Sequence, residues 1–377
     1  MDKNKRASLS LDNNHFNSYG AIAEPIVLSS TFLRDKNGEF LSGRDIYSRT
    51  SNPNRTSLEQ KLAALEKGSD AACFASGQAA SMAIFHTLGT GSHVIIPDDI
   101  YFGTRVLLEK VYLNWGLSFS SADMTNLESI RNSIRPNTKL IWIETPSNPQ
   151  LKITDISEVA KIAKTQNILT ACDNTWATPF FTNPFDFGVD IIMHSTTKYL
   201  GGHSDLIGGV VIVSENTPNS VFLKIKDFQT LGGAVPSPQD CWLLSRSLAT
   251  FSVRMPMHSK NAQHLAEYLE NHPSIEKVFY PGLKNNSFYE LAKKQMKNGF
   301  GGMLSVLIKG TEKDCLAVAS RLKVFKHATS LGGVESLVDH RKTAEGVHSN
   351  SPNNLLRISV GIEDYQDLME DFQQALA

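Results

Sequence analysis

The stretch from residue 194 to residue 202 combines residue types that a covalent amine site needs. Lys198 follows three hydroxyl side chains and precedes a glycine pair. The apolar run Val189–Met193 leads into it and predicts a buried strand. A lysine at the end of such a strand lies at the rim of a sheet, where partial burial lowers its pKa from the free value of about 10.4. A neutral amine there can form a Schiff base with an aldehyde.

Two interpretations of this segment are open from its residues alone. Ser195 and Thr197 can hold a phosphate beside Lys198, which favours a pyridoxal-phosphate enzyme. The same pattern is also that of an exposed loop lysine beside ordinary serine and threonine. The predicted elements around this segment are needed to distinguish the two interpretations.

Composition limits the class of protein. The chain has 377 residues, 41% hydrophobic residues and a net charge of -1. This length predicts two domains, and the charge balance predicts no binding to nucleic acid or to an anionic membrane. The sequence contains no run of eighteen apolar residues, so it predicts no membrane span. The basic start of the chain lacks the apolar segment of a secretory signal.

The spacing of the cysteines and histidines matches neither a disulfide framework nor a set of metal ligands. Four cysteines are far apart and include no Cys-x-x-Cys pair, which favours a reducing cytoplasm over a disulfide framework. His258 and His264 are not spaced i,i+4 and have no thiol or carboxylate cluster beside them. We therefore predict no metal site.

Apolar runs alternate with amphipathic stretches over the first two thirds of the chain, which predicts βαβ units and a mainly parallel sheet. Near residue 236 the pattern changes to a long helical stretch, 239–269, broken near Pro256, and then to an α+β pattern. Predicted strands are 71–75, 93–97, 140–144, 168–172, 189–193, 210–213, 278–280, 303–307 and 355–360, and predicted helices include 58–65, 79–88, 103–113 and 156–164.

Polar residues follow five of the predicted strands, and the carboxyl ends of parallel strands are where ligands bind in open α/β sheets. In a pyridoxal-phosphate site, Asp173 would keep the ring nitrogen protonated and Tyr101 would stack on the ring. Gly77 and Gln78, after Ser76, would present N–H groups to phosphate at a helix start. Each residue also has a structural interpretation, as a helix cap or a packed ring. The five polar strand ends begin at Ser76, Asp98, Thr145, Asp173 and Ser195.

The combined motifs resemble the cysteine and methionine metabolism family of pyridoxal-phosphate enzymes, to which cystathionine γ-synthases, γ-lyases and β-lyases belong. The resemblance covers nearly the whole chain. It rests on the segments 47–53, 76–77, 144–149, 173–179, 195–205, 238–240, 330–336 and 356–361.

The resemblance implies the fold, which is an aspartate-aminotransferase-like α/β fold (type I). It has a mainly parallel central sheet and a smaller C-terminal α+β domain. The implied units are an N-terminal arm over residues 1–50, a large cofactor domain over 51–245 and a C-terminal domain over 246–377. The arm would contact the neighbouring subunit of a homotetramer, a dimer of dimers with shared active sites.

The resemblance also implies roles for individual residues. Lys198 would be the Schiff-base lysine and, with Tyr101, a catalytic residue. The cofactor would be held by Ser76, Gly77, Gln78, Tyr101, Asp173, Ser195, Thr197 and Lys198, and by Tyr47 and Arg49 of a neighbouring subunit. The substrate, a small amino acid, would be bound by Asn148, Ser330, Glu335 and Arg357, with Arg357 clamping its α-carboxylate.

Two departures from the family affect substrate choice. Methionine γ-lyases carry a cysteine where Gly103 stands, which argues against that activity. The segment 338–354 differs from the family's proline-containing segment and lies near the substrate there. Glu335 matches γ-synthases and γ-lyases, where a carboxylate can receive the distal ammonium of cystathionine.

The sequence therefore predicts a γ-type enzyme of cystathionine metabolism, either a γ-synthase or a γ-lyase, with a β-lyase as the alternative. A serine hydrolase is a rival because residues 195–198 also read Ser-x-x-Lys, but its Ser-Asp-Asn and Lys-Thr-Gly partners are missing. A non-catalytic cofactor-binding protein is a second rival. The intact Lys198, Asp173, Tyr101 and Arg357 argue against it.

Overall fold

A seven-stranded sheet forms the larger half of the molecule. The computed structural model describes residues 20–41, 43, 45–346, 349 and 351–377. The strand order is β1-β7-β6-β5-β4-β2-β3, and all the strands run parallel except β7, which is antiparallel to both neighbours. The strands are β1 (Asp70–Phe74), β2 (His93–Pro97), β3 (Ser118–Ala122), β4 (Thr138–Glu144), β5 (Leu169–Asp173), β6 (Ile191–Ser195) and β7 (Gly209–Val213).

Central strands of this sheet are apolar along their whole length because helices cover both faces. In β4, Trp142 packs on Phe85 with ring centroids 5.1 Å apart, while Ile143 belongs to a separate core on the other face with Val159. Successive residues of one strand thus enter different cores. This packing fixes where each strand ends, and so where the polar residue after it lies.

Eight helices belong to this part of the chain. The first two begin at side-chain caps, since Asn52 accepts from the N–H of Asn54 and Ser76 accepts from the N–H of Ala79. The helices are α1 (Pro53–Glu66), α2 (Gly77–His86), α3 (Phe102–Leu107), α4 (Leu127–Ser133), α5 (Ile156–Thr165), α6 (Thr178–Phe181), α7 (Asn219–Gly232) and α8 (Pro238–Leu248), with a π-helix Leu108–Tyr112 and a 3-10 helix Pro184–Phe187.

The second sheet has five strands in the order β10-β11-β12-β9-β8, antiparallel except for the short β10–β11 pair. Its apolar side, with Val306 and Ile358, packs on helices through a core of its own. The elements are β8 (Ile275–Phe279), β9 (Met303–Ile308), β10 (Lys326–His327), β11 (Leu337–His340) and β12 (Leu355–Ser359), with helices α9 (Phe251–Glu270), α10 (Tyr289–Gln295), α11 (Glu312–Arg321), α12 (Arg341–Glu345) and α13 (Tyr365–Ala375).

One predicted boundary was wrong. The long helical stretch is interrupted at Ala249 and Thr250, whereas Pro256 lies inside the continuous helix α9. The lost hydrogen bond at Pro256 is tolerated because Met255 and His258 are buried on either side of it, so tertiary packing holds the helix. The predicted strands are confirmed within a few residues, while β3, β10, β11, α4, α6 and α7 were not predicted.

The segment before α1 is irregular where the structure describes it. Two isolated bridges join Thr31 to Tyr47 and Arg34 to Phe40. Residues 1–19 of the predicted arm lie outside the described residues. The division at residues 50 and 245 stays a prediction. No helix in the described portion is both long and apolar enough to cross a membrane.

Candidate active site

The carboxyl ends of the parallel strands open into a cavity of about 470 Å³. The sequence predicts polar residues after five strands, and the sheet order brings the segments that follow β1, β2, β4, β5 and β6 to this one cavity. Eleven of the predicted site residues line it: Ser76, Gly77, Gln78, Tyr101, Asn148, Asp173, Ser195, Thr197, Lys198, Ser330 and Arg357.

Lys198 lies in the turn that follows β6. Its Nζ donates a hydrogen bond to the Ser330 hydroxyl at 2.7 Å. Burial, with Arg357 and Arg341 adding positive charge nearby, lowers the pKa of Lys198 from 10.5 to about 8. A useful fraction of the amine is therefore neutral near physiological pH, as a nucleophile must be.

Two carboxyl groups stand side by side at the ends of β4 and β5. Glu144 and Asp173 are paired in register, and both line the cavity. Burial raises the pKa of both. It raises that of Glu144 well above its usual range, and the nearby charge of Asp173 adds to the rise. Asp173 accepts the backbone N–H of Thr175 at 3.0 Å, which favours its charged form. We expect Glu144 to hold the proton and Asp173 to present an anionic oxygen.

Contacts with neighbouring residues hold Tyr101 in place, while part of its ring stays exposed. Its backbone N–H donates to Glu144 Oε2 at 3.0 Å, and the ring lies so close to Gly103 that a Cβ there would be 2.5 Å from the ring. The Gln78 amide donates to the Gly103 carbonyl at 2.8 Å and holds this turn. Since 42% of the tyrosine is exposed, its face is available to a planar ligand.

The start of α2 is a candidate anion cradle, a helix start whose free N–H groups suit a negatively charged ligand. Ser76 caps the helix, and the first N–H groups of a helix have no acceptor within it. At Gly77 a Cβ would lie 2.8 Å from the Ser195 Cβ, so only glycine lets the helix start approach this strand end. The Thr197 hydroxyl bridges the backbone of Gly208, accepting at 3.0 Å and donating at 3.2 Å.

Arg357 projects from the second sheet into the same cavity. It is 4% exposed, and its guanidinium donates to Asn148 Oδ1 at 3.3 Å, to the Ser330 carbonyl at 3.0 Å and to Asp339 Oδ2 at 3.2 Å. Burial and the nearby Arg341 lower its pKa to about 10, so it is charged at neutral pH. A fixed guanidinium suits a carboxylate ligand.

The residues around this cavity fit pyridoxal phosphate, the cofactor that the sequence predicts. An anion cradle, an exposed aromatic face, a buried carboxylate and a partly neutral lysine surround one cavity. They match the phosphate, the ring, the ring nitrogen and the aldehyde of pyridoxal phosphate.

Sequence reasoning missed four residues that belong to this site or support it. Glu144 was named only as part of the motif 144–149, although its position at the end of a predicted strand could have identified it as a site residue. Asp339, Arg341 and Glu345 form an ion-pair chain behind Arg357. Their i,i+2 and i,i+4 spacing was visible, but the strand that carries Asp339 was not predicted.

Three predicted site residues lie outside the cavity lining. Tyr47 is 45% exposed, and Arg49 donates to the Thr230 carbonyl on the protein surface. Glu335 accepts a hydrogen bond from Ser204. Their roles stay predictions. Within the described residues, no group of three or more histidine, cysteine, aspartate or glutamate side chains is placed to hold a metal ion.

Comparison with known proteins gives the same answer as the geometry. Fold and site together define a pyridoxal-phosphate-dependent enzyme of fold type I. A family model described as "Cys/Met metabolism PLP-dependent enzyme" matches residues 7–377. The chain belongs to this family, and its members depend on pyridoxal phosphate.

Curated relatives carry three different names. The chain is 42% identical to the cystathionine gamma-synthase of Mycobacterium tuberculosis H37Rv, over 95% of this chain and 92% of the relative. It is 43% identical to the cystathionine gamma-lyase of Bacillus subtilis, over 95% and 94%, and 42% identical to the cystathionine beta-lyase of Coxiella burnetii, over 95% and 93%. Identity alone does not rank these names.

A solved structure extends the likeness to three dimensions. The cystathionine gamma synthase of Xanthomonas oryzae pv. oryzae, in complex with cystathionine, matches with a TM-score of 0.94 and 35% identity. The match covers 98% of this chain and 97% of that chain. The relatives therefore act on small molecules.

Proposed function

We propose that this protein makes or breaks the C–S bond of cystathionine by γ-replacement or γ-elimination, as a γ-synthase or a γ-lyase. The observation that carries the proposal is the pairing of Lys198 and Arg357 in one cavity, 2.7 Å and 3.0 Å from the two polar groups of Ser330. Such a cavity suits an α-amino acid bound by its carboxylate. The names of the relatives supply the identity of that amino acid.

Arg357 and Asn148 would hold the substrate α-carboxylate. A buried guanidinium forms charge-assisted hydrogen bonds with a carboxylate and so fixes its position. Because Ser330 joins Arg357 to Lys198, the bound carboxylate places the substrate Cα near the Lys198 amine. Orientation of this kind contributes a large part of catalysis.

Lys198 would move protons at the substrate carbon atoms. When bound, pyridoxal phosphate supplies an electron sink for the pair left behind as a proton leaves Cα. A neutral Lys198 amine would accept that proton. In γ chemistry it would hand this proton on to the cofactor, become neutral again, and then take a second proton from Cβ. Asp173 would stay beside the ring nitrogen, and Tyr101 would cover one ring face. Glu335 would receive the distal ammonium.

A neighbouring subunit would complete the phosphate end. The basic residues of the cavity lining are Lys198, Arg341 and Arg357, and both arginines are held at the Asn148 side. Positive charge for the phosphate would come from Arg49, with Tyr47, of a second copy. Exposed apolar residues of the arm support this contact, among them Ile22 (93%), Leu28 (71%) and Leu33 (77%).

The assembly we propose is a homotetramer, a dimer of dimers with shared sites, located in the cytoplasm. The four cysteines are all buried as free thiols, as a reducing compartment allows. The units we propose are the arm over residues 1–50, the cofactor domain over 51–245 and the C-terminal domain over 246–377.

One assay tests the reaction. The purified protein with bound cofactor is incubated with L-cystathionine, and the oxo acid is identified. Formation of 2-oxobutanoate supports γ cleavage. Formation of pyruvate would instead indicate β cleavage, the activity in the name of the Coxiella relative, and would overturn the γ assignment.

A second incubation covers the synthase direction. Cystathionine formed from cysteine and O-succinyl- or O-acetylhomoserine supports a γ-synthase. A Lys198→Ala protein is the control, since every product should be absent with it. No product from any of these substrates, with cofactor bound, would overturn the proposal and leave a non-catalytic family member.

A further inference from the structure

Asp339 lies directly opposite Arg357 in the pairing of β11 with β12. Side chains of directly opposite residues in an antiparallel pair project to the same face. One oxygen of Asp339, Oδ2, accepts from Arg357 Nη2 at 3.2 Å and from Arg341 Nη1 at 2.7 Å. This carboxylate therefore joins the cavity arginine to a second guanidinium.

Glu345 completes the chain from the other end. It follows Arg341 by four residues along α12, and its Oε1 accepts from Arg341 Nη2 at 2.5 Å and from Nε at 3.1 Å. The Ser349 hydroxyl donates to Glu345 Oε2 at 2.5 Å. Every link is a charge-assisted hydrogen bond.

The four charges of this chain are buried and balanced. The side chains of Arg357, Asp339, Arg341 and Glu345 are 4%, 7%, 7% and 9% exposed. Two guanidinium groups so close together would repel each other in a poorly solvated site, and the two carboxylates cancel that charge. Removal of one carboxylate leaves an unbalanced buried cation, which changes how Arg357 is held.

We infer that Asp339 is a positioning residue, fixed from behind by Arg341 and Glu345, which aims the Arg357 guanidinium at the substrate α-carboxylate. Asp339 does not line the cavity, whereas Arg357 does, so its action on a substrate is indirect. Asn148 takes one N–H of Arg357 Nη1, and Ser330 and Asp339 take both N–H groups of Nη2, so the second N–H of Nη1 and the N–H of Nε are left to bind a substrate. The inference rests on the proposed function only in taking the substrate to be an α-amino acid.

The test compares two ligands that differ only in that carboxylate. L-norleucine and L-norleucinamide are titrated into the protein with bound cofactor, and the change in cofactor absorbance gives each Kd. The wild type should favour the acid by about tenfold or more, since a charged hydrogen-bond pair is replaced by a neutral one. In Asp339→Asn that preference should fall to about threefold or less, with the amide Kd unchanged.

Two further variants separate positioning from loss of structure. Asp371→Asn removes another buried carboxylate, 4% exposed, which caps the backbone of Lys323 to Phe325 away from the cavity. It should lower Tm yet keep the preference for the acid. Arg341→Gln should reduce the preference in part, and the double variant with Asp339→Asn should match Asp339→Asn alone because both act through one chain.

Three results would overturn the inference: a wild type that does not prefer the acid, an Asp339→Asn protein that keeps the wild-type preference, or equal weakening of both ligands. Failure of the proposed reaction is a separate result. It would appear as no turnover of cystathionine or activated homoserines by a wild type that still separates norleucine from its amide.

Discussion

The Ser330 hydroxyl accepts a hydrogen bond of 2.7 Å from Lys198 Nζ, although Ser330 holds a φ of +80°. A side chain other than glycine in this left-handed region costs about 1 kcal/mol or more. The strain places two groups of one residue in the site, since the Ser330 carbonyl also accepts from Arg357 at 3.0 Å. The proton-moving amine and the carboxylate clamp therefore share one support.

Removal of the Ser330 hydroxyl should slow catalysis while the cofactor stays bound. We expect Ser330→Ala to lower kcat by about tenfold, the value of one lost hydrogen bond to a charged group. Ser330→Gly is the matched control, because it removes the same hydroxyl but accepts the φ. Both variants should lose the same activity, and Ser330→Gly should unfold at the higher temperature. Full activity in Ser330→Gly would show that the backbone, and not the hydroxyl, matters.

Capture of pyridoxal phosphate by the apoprotein should speed up as pH rises. The pKa of Lys198 is lowered from 10.5 to about 8, so the neutral amine becomes more abundant through this range. Between pH 7 and pH 9 the rate should rise by about tenfold and then level off. Stopped-flow absorbance measures it. A rate that keeps rising up to pH 10.5 would contradict the lowered pKa.

The same shift has a consequence for stability. Between pH 8 and pH 10.5, the unfolded lysine binds more protons than the folded one. Stability of the apoprotein attributable to this group therefore rises with pH across that window. The difference in urea midpoint between wild type and Lys198→Met should shrink as pH rises from 8 to 10. A constant difference would indicate an ordinary lysine pKa.

The Asp173 carboxylate should matter through its charge. Asp173→Asn keeps the shape of the side chain but cannot hold a proton on a ring nitrogen. We expect kcat to fall by roughly 10 to 100-fold, the range for a charge-assisted hydrogen bond lost in a buried site. The fall in kcat is measured by a steady-state assay with the substrate that the cystathionine and homoserine-ester incubations identify. An Asp173→Asn enzyme with wild-type kcat would exclude the proposed role.

Shared active sites can be tested by mixing two inactive proteins. Arg49→Ala and Lys198→Ala each damage every site in their own homo-oligomers. If Arg49 serves the neighbouring subunit, a mixed dimer contains one doubly damaged site and one intact site. Co-refolding equal amounts should then restore about a quarter of wild-type activity. No recovery, with mixed dimers present by mass spectrometry, would place Arg49 in the site of its own chain.

Much of the site could be predicted because it depends on strand ends. Val189–Met193 and 140–144 are apolar enough to show a buried strand, so the residues after them, among them Lys198, fall at one edge. Parallel order then brings them together without any knowledge of side-chain contacts.

The remainder depends on contacts between distant parts of the chain. Strand β3 was missed because the run 118–122 contains three serines, and it forms as the edge of a sheet already built. The pairing of Asp339 with Arg357 depends on the register of β11 and β12, which local pattern does not encode. The departure from the family at 338–354 was visible, but its ion-pair chain was not.

Lys198 is the residue that we propose holds the cofactor and moves the substrate protons. Borohydride reduction of the native protein, followed by peptide mapping, identifies the lysine that carries the cofactor. We expect one pyridoxyl group per chain, on the peptide that contains Lys198, and none in Lys198→Ala. A pyridoxyl group on another lysine, or trapping that persists in Lys198→Ala, would contradict it.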